Sequence, residues 1–382
     1  MLSSSRHWLS GSGVYAIDLC HRGEVANTTT EPGTPRDAAG IDVLLSGMVF
    51  LDIVFTDLPT PPSPGHEVLA GGMGSSPGGI ANLAMATARL DLRTSLVAAF
   101  SDDGYGRWCR DILTRQEHVD LSRSRTIPDW HSPVTVSMSY EGDRAMVTHC
   151  HDAPLSTAEM LGDPPTTRAV ITELGDDRWW EANRAGGALV FADIGWDPTE
   201  VWDREVLRRL GGCHAFTPNE VEAMAYTRTD TAADALSRLS ELVPLAVVTR
   251  GYQGAMAIDQ ATGEQASVPA LDVAAIDPTG AGDVFAAALV FGTLDGWPLV
   301  ERLRFAALAS SLAVQQFGGG LAAPGWGDIA DWWSRTTRTA AEGNPVAAAL
   351  AGSYGFLAEH LHNHEGRSVR RAYATIAQLA DL

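Results

Sequence analysis

Asp277-Pro278-Thr279-Gly280-Ala281-Gly282-Asp283 is the stretch on which the reading of the whole chain turns. Downstream of it, Val284-Phe285-Ala286-Ala287-Ala288-Leu289-Val290-Phe291 has the composition of a buried helix. Upstream, the Val, Leu and Ile of residues 268–276 predict a strand. The Gly-Ala-Gly between them is then a turn, and its small side chains let a ligand approach the backbone closely. The first amides of a helix have no intrahelical partner and lie at a pole equivalent to about half a positive charge. They make an anion site, and phosphate is the usual anion. A carboxylate beside a phosphate is repelled unless it has a task there. The task open to Asp283 is to take a proton from a hydroxyl that attacks phosphorus. Taken alone, the same residues also suit a plain chain corner with a solvated Asp at the helix start.

Composition narrows the field. The 382 residues suffice for one large domain or two ordinary ones, and 45% hydrophobic content allows a substantial core. A formal net charge of −20 disfavours nucleic acid and anionic membrane surfaces as partners. No run of about eighteen apolar residues occurs, so no membrane span and a cytoplasmic location are expected. All 27 basic residues are arginine. Without lysine the chain cannot be a P-loop ATPase, a protein-kinase fold or a pyridoxal-phosphate enzyme. Any phosphoryl chemistry must rest on backbone amides, helix poles, arginine and metal. Cys20, Cys109, Cys150 and Cys213 are far apart and form no Cys-x-x-Cys pair, which reads as reduced thiols.

Residues 1–40 are rich in Ser, Gly, Thr and Pro and are expected to form a disordered or loosely docked extension. Folded sequence begins with a buried strand at Ile41–Gly47, and Asp52 follows just past its end. The glycine-rich run Gly71–Gly79 leads into a helix over Ile80–Leu90. A strand at Thr94–Phe100 and a helix near Trp108–Gln116 come next. Val134–Ser139 and Ala145–Thr148 bracket Glu141-Gly142-Asp143-Arg144, which predicts a hairpin. From Ala169 onward strands and helices alternate, implying a mostly parallel sheet covered on both faces. A helix over Leu303–Gln316 is stopped by Gly318-Gly319-Gly320. Residues 336–382 read as a helical C-terminal extension. Of its His360, His362 and His364, only His360 and His364 share a face, too few ligands for a metal.

The run from Asp277 to Asp283 matches, residue by residue, the second signature of the ribokinase-like (PfkB-type) carbohydrate kinases, and residues 41–335 resemble that family's domain. The resemblance implies a three-layer α/β/α sandwich with a mainly parallel central sheet. It also implies a small β lid, from about 54–75 and 132–150, and a homodimer. The implied reaction moves the γ-phosphoryl group of ATP onto a hydroxyl of a sugar or sugar-like substrate. Asp283 would be the general base, and the backbone of Gly280, Ala281, Gly282 and Asp283 the anion hole. Asp52, Gly78, Gly79 and Asn82 would hold the substrate, since an Asn can both donate to and accept from a hydroxyl. Ile80 stands where that first signature usually has a small residue, and Asp91 where a Gly or Ser follows the helix.

Asn219 and Glu222 match an Asn-x-x-Glu element that organises magnesium through water, and Asn219 also suits a helix cap. Thr249, Gly251 and Gly254 resemble the turn under the nucleotide, with Arg250 directed at the γ-phosphate or at solvent. Asp277 and Thr279 match the ligands of a monovalent cation, which brings in potassium beside ATP and Mg²⁺. A nucleoside kinase of the same fold and a catalytically retired sugar-binding regulator stand as alternatives. A dehydrogenase is remote, because the glycines of Gly71–Gly79 do not follow G-x-G-x-x-G after a strand.

Overall fold

A computed structural model describes residues 40–140, 143–195, 197, 199–362 and 372. Apart from Gly40, the expected N-terminal extension lies outside them, as does His364. The strands run in chain order from Ile41–Ser46 (β1), Val49–Thr56 (β2), Gly72–Gly79 (β3), Thr94–Val97 (β4) and Ala99–Ser101 (β5) to Arg125–Ile127 (β6), Val134–Tyr140 (β7) and Asp143–His149 (β8). They continue with Thr167–Glu173 (β9), Leu189–Asp193 (β10), Ala215–Phe216 (β11), Leu245–Thr249 (β12), Ala255–Asp259 (β13) and Glu264–Val268 (β14). Helices occupy Ile80–Arg89 (α1), Gly104–Asp111 (α2), Thr157–Leu161 (α3), Glu181–Ala185 (α4), Glu220–Thr227 (α5) and Ala232–Ser240 (α6). Ala281–Leu294 (α7), Leu299–Ala313 (α8), Trp326–Ala341 (α9), Pro345–Ser353 (α10) and Leu357–His362 (α11) complete the set.

Eight strands form the central sheet in the order β14-β13-β12-β11-β10-β9-β1-β4. It is parallel from β4 to β12 and turns antiparallel only at β13 and β14. Side chains alternate across a strand, so neighbouring residues serve opposite faces. Val43, Leu45, Ala169, Ile171, Leu245 and Val247 join one core with α1, α7, α8 and α9. Leu44, Val170, Val190, Ala246 and Val248 join the other, with α3, α5 and α6. Because both faces are covered, these strands are near-continuously apolar, which is why their sequence reads as buried runs. The layers are those of the three-layer α/β/α sandwich. A second sheet, ordered β3-β2-β7-β8, forms the expected β lid, with its hairpin at β7 and β8.

Several expected boundaries differ. No strand covers residues 269–276, since β14 ends at Val268. Pro269 follows with no N–H for a ladder, and the amides of Ile276 and Asp277 instead donate to Val314 O at 2.7 and 3.1 Å. The segment Thr94–Phe100 divides into β4 and β5, because β4 stays with β1 while β5 leaves to pair with β6. The helix expected at Trp108–Gln116 starts earlier, where the Asp103 carboxylate accepts the Gly106 amide at 2.8 Å, and ends in a π turn over Ile112–Gln116. The division expected after residue 335 falls inside α9, and Tyr354 and Leu357 beyond it belong to the main core. His360 stacks on Trp297 at 4.0 Å between ring centroids. Among the described residues no helix is long and apolar enough to cross a membrane.

Candidate active site

Helix α7 is buried from Val284 to Gly292, so its N-terminal turn is mounted on the centre of the molecule. Gly280 caps it at φ 74°, a left-handed conformation that costs little only without a Cβ. The Ala281 amide is turned back onto Pro278 O at 3.2 Å, whereas those of Gly280 and Gly282 make no hydrogen bond among the described residues. Of the four amides expected to form an anion hole, the Ala281 amide is therefore spoken for. The Asp277 carboxylate shapes the turn from behind by accepting the Thr279 amide at 2.9 Å and the Gly318 amide at 3.3 Å.

Two cavities meet at this turn. One, of about 270 Å³, is lined by Thr249, Gly251 and Gly254, by Ala281 and Gly282, and by an apolar wall that includes Leu271, Val273 and Phe285. The other, of about 190 Å³, is lined by Ser46, Gly47, Phe50, Gly79 and Ile80 and by Thr172, Glu173, Asp193 and Asp283. The helix mouth is their common wall, with residues 281 and 282 facing one space and Asp283 the other.

The expected substrate residues cluster here with different roles. Asp52 lies within β2 of the lid sheet rather than in a loop past β1, because β3 pairs along the full length of β2. Its carboxylate sits against Gly78, where any Cβ would collide with it. Gly79 lines the smaller cavity directly; Asp52, Gly78 and Asn82 do not. Asn82 donates through Nδ2 to Asp283 Oδ2 at 3.0 Å and accepts through Oδ1 from the Gly320 amide at 2.8 Å. Behind it, the buried Arg89 pairs with Glu117 and donates to Leu321 O at 2.6 Å and Ala323 O at 2.7 Å.

Asn219 and Glu222 form a reciprocal capping box at the start of α5, with bonds of 3.0 and 2.9 Å. Asn219 also bridges to Thr249, which joins the two elements read as nucleotide contacts. Burial raises the Glu222 pKa. Arg250 donates to Gln253 O at 3.2 Å, and its Nε is buried without a partner among the described residues.

Two acids at the site were not anticipated. Glu173 ends β9 and Asp193 ends β10, both lining the cavity of Asp283. Burial first, and then the negative charge of Asp283, pushes the Asp193 carboxyl up to about 8. Their visible signal was position alone, since ligands of open α/β sheets bind beyond the carboxyl ends of strands. Among the described residues no group of three or more His, Cys, Asp or Glu is arranged as a ready-made metal cage.

Comparison with known proteins agrees with this fold. A family model described as pfkB family carbohydrate kinase matches residues 169–325. A fructokinase from Klebsiella pneumoniae is 31% identical over 272 residues, covering 64% of this chain and 85% of the relative. A nucleoside kinase from Methanothermobacter thermautotrophicus is 29% identical over 255 residues, covering 63% and 79%. The crystal structure of a putative ribokinase II from E. coli in complex with ATP and Mg²⁺ superposes with a TM-score of 0.66 at 20% identity, covering 77% of this chain and 99% of that one.

Proposed function

The chain belongs to the pfkB family of carbohydrate kinases, and we propose that it transfers the γ-phosphoryl group of ATP to a hydroxyl of a neutral monosaccharide. The observation that carries this reading is the helix mouth between two cavities, one walled mainly by apolar side chains and the other carrying the acids Glu173, Asp193 and Asp283. A donor in the first and an acceptor in the second would meet across residues 281–283, which converts an encounter of two molecules into a positioned transfer. Asp283 takes the hydroxyl proton as the acceptor oxygen forms its bond to phosphorus and the bond to the β-phosphate oxygen breaks, releasing ADP. The amides of Gly280 and Gly282, at the positive pole of α7, stabilise charge on the transferring group. Thr249, Gly251 and Gly254 serve the nucleotide, and Asp52 and Gly79 the acceptor.

The all-oxygen donor set suits Mg²⁺, which takes few protein carboxylates and keeps several waters. Asp193 and Glu222 are the residues that would hold it, directly or through water, and their closeness is felt in the raised Asp193 pKa. When bound, the ion neutralises charge on the phosphates. Asp277 and Thr279 are those a monovalent cation would use, and the reaction as described does not depend on one.

The acceptor's charge follows from the lining. Glu173, Asp193 and Asp283 contribute carboxyls, and among the described residues no arginine lines the cavity, so this lining disfavours a sugar acid or sugar phosphate. The cavity, of about 190 Å³, has room for a single sugar ring. The lid sheet closes over this side and excludes water that would otherwise accept the phosphoryl group. Its outer strand, β8, has no further strand beside it among the described residues and exposes Met146 and Val147, and this is the surface proposed to join two copies as a homodimer.

ATP consumption measured over neutral pentoses, hexoses and ketoses, sugar acids, sugar phosphates and nucleosides tests the reading. Turnover should concentrate on a neutral monosaccharide. Preference for a nucleoside or an anionic sugar would overturn the acceptor assignment. No turnover anywhere, with a sugar still raising the melting temperature, would favour a retired sugar-binding scaffold.

A further inference from the structure

We propose that Ile80 sets the shape of the acceptor, and that the smaller cavity selects a neutral monosaccharide with a deoxygenated edge. This inference rests on the reading of that cavity as the acceptor site. Its lining is divided by chemistry. Glu173, Asp193 and Asp283 stand at the ends of β9 and β10 and in the first turn of α7. Met48, Phe50, Ile80 and Leu83 come from the β1–β2 connection, β2 and α1, and all four are apolar. Ser46 and Thr172 also line the space, but their hydroxyls already donate to Val97 O at 2.9 Å and Glu173 O at 3.1 Å. A sugar held with hydroxyls toward the acids therefore turns its opposite edge to hydrocarbon.

The apolar side is held firmly in place. An added Cβ on Gly47 would lie 2.9 Å from Ile80 Cβ and 3.2 and 3.3 Å from its Cγ1 and Cγ2, so the branched side chain lies directly over Gly47. Positions 47 and 80 share one space, and the isoleucine fills it. The Ile80 amide donates to Met48 O at 3.1 Å, which ties the start of α1 to the β1–β2 connection. A Cβ on Gly79, at φ 60°, would lie 2.5 Å from Met48 O and 2.7 Å from Phe50 Cδ2, so the residue before Ile80 is wedged against the ring. A β-branched side chain in a helix has one strongly preferred χ1 rotamer, so Ile80 does not swing aside. It stands where the first signature usually has a small residue, and its side chain occupies space that the common pattern leaves open. A hydroxyl pressed on this wall loses water and gains no partner, whereas a C–H or methyl group gains apolar contact. Discrimination by one such group in an apolar pocket is about 10- to 10²-fold.

ATP-dependent turnover on matched sugar pairs tests this: ribose with 2-deoxyribose, glucose with 2-deoxyglucose, galactose with 6-deoxygalactose and fructose with 1-deoxyfructose. Wild type should favour the deoxy member of at least one pair by about tenfold or more in kcat/KM. Ile80→Ala removes the wall and should bring that ratio to within about threefold, chiefly through a lower KM for the hydroxylated member. Ile80→Thr keeps the branch at Cβ but sets a hydroxyl in the wall, and should lower the ratio in the same way. KM for ATP should stay within about threefold in both, which a general loosening of the site would not allow. Melting curves identify which variant is folded, and either alone decides the role of Ile80. Preference of wild type for the hydroxylated member of every pair overturns the proposal without any variant. So does a wild-type ratio of about tenfold or more that survives in the folded variants. The reading beneath it fails separately. Turnover confined to nucleosides, or absent altogether, removes the acceptor assignment and this inference with it; sugar turnover indifferent to deoxygenation removes this inference alone.

Discussion

Arg89→Met tests the foundation on which the active-site turn rests. The Arg89 and Glu117 side chains are 2% and 3% exposed, and they are joined by two hydrogen bonds of 2.8 Å each. The guanidinium also satisfies the carbonyls of Leu321 and Ala323. Methionine replaces the stem but leaves the Glu117 carboxylate buried without its counter-charge. Losing one partner of a buried pair typically costs about 3–5 kcal/mol. For a chain of 382 residues, at roughly 2.1 cal/mol/K of unfolding entropy per residue, that corresponds to a drop in Tm of about 4–6 °C. Replacing both partners, as Arg89→Met with Glu117→Met, removes the stranded charge and should restore most of the loss. Denaturant unfolding of wild type, both singles and the double gives the coupling energy. The reasoning is refuted if Arg89→Met costs less than about 1 kcal/mol, or if the double variant loses as much as the two singles summed.

Asp283→Asn should keep ATP binding and lose about 10²- to 10⁴-fold in kcat, read by steady-state turnover beside calorimetric ATP titration. Asp193→Asn should change how stability depends on pH. The folded protein holds the Asp193 proton up to about pH 8, whereas the unfolded chain releases it near 3.8, so ionisation opposes folding across that window and wild-type stability declines as pH rises through it. The melting advantage of the variant should therefore widen between pH 5 and pH 8.5, and an advantage that is flat or shrinks would count against the buried-acid account. Gly254→Ala should destabilise by about 1–3 kcal/mol or more, because φ is 87° and the new methyl would press on the backbone of Val268 to Ala270. It should also raise KM for ATP, since Gly254 lines the larger cavity; urea unfolding within 0.5 kcal/mol of wild type would contradict this.

The parts of the fold visible in the sequence were those that local chemistry decides. Buried strand runs such as Val43-Leu44-Leu45 and Leu245–Val248 announce a covered parallel sheet, and Gly280-Ala281-Gly282 announces a helix start. Residues 269–276 were misread because the Ile276 amide donates to Val314 O, 38 residues away in sequence, instead of joining the sheet. β3, with the sequence GMGSSPGG, carries little strand propensity and exists because β2 pairs with it. That pairing is what moves Asp52 into the lid. Glu173 and Asp193 are unremarkable acids until two strand ends bring them together. The Asn82 contact with Gly320 spans 238 residues and has no local signal at all.

Burial of α7 on every side has an evolutionary consequence. Asp283 rides on a helix buried from Val284 to Gly292, while Asp52, Gly78 and Gly79 belong to a separate four-stranded plate. On the proposed assignment, grip and chemistry are carried by different bodies, joined near the start of α1. Sequence drift in the plate can retune which alcohol is admitted while the reaction apparatus stays untouched, so one scaffold can change diet without relearning its trade.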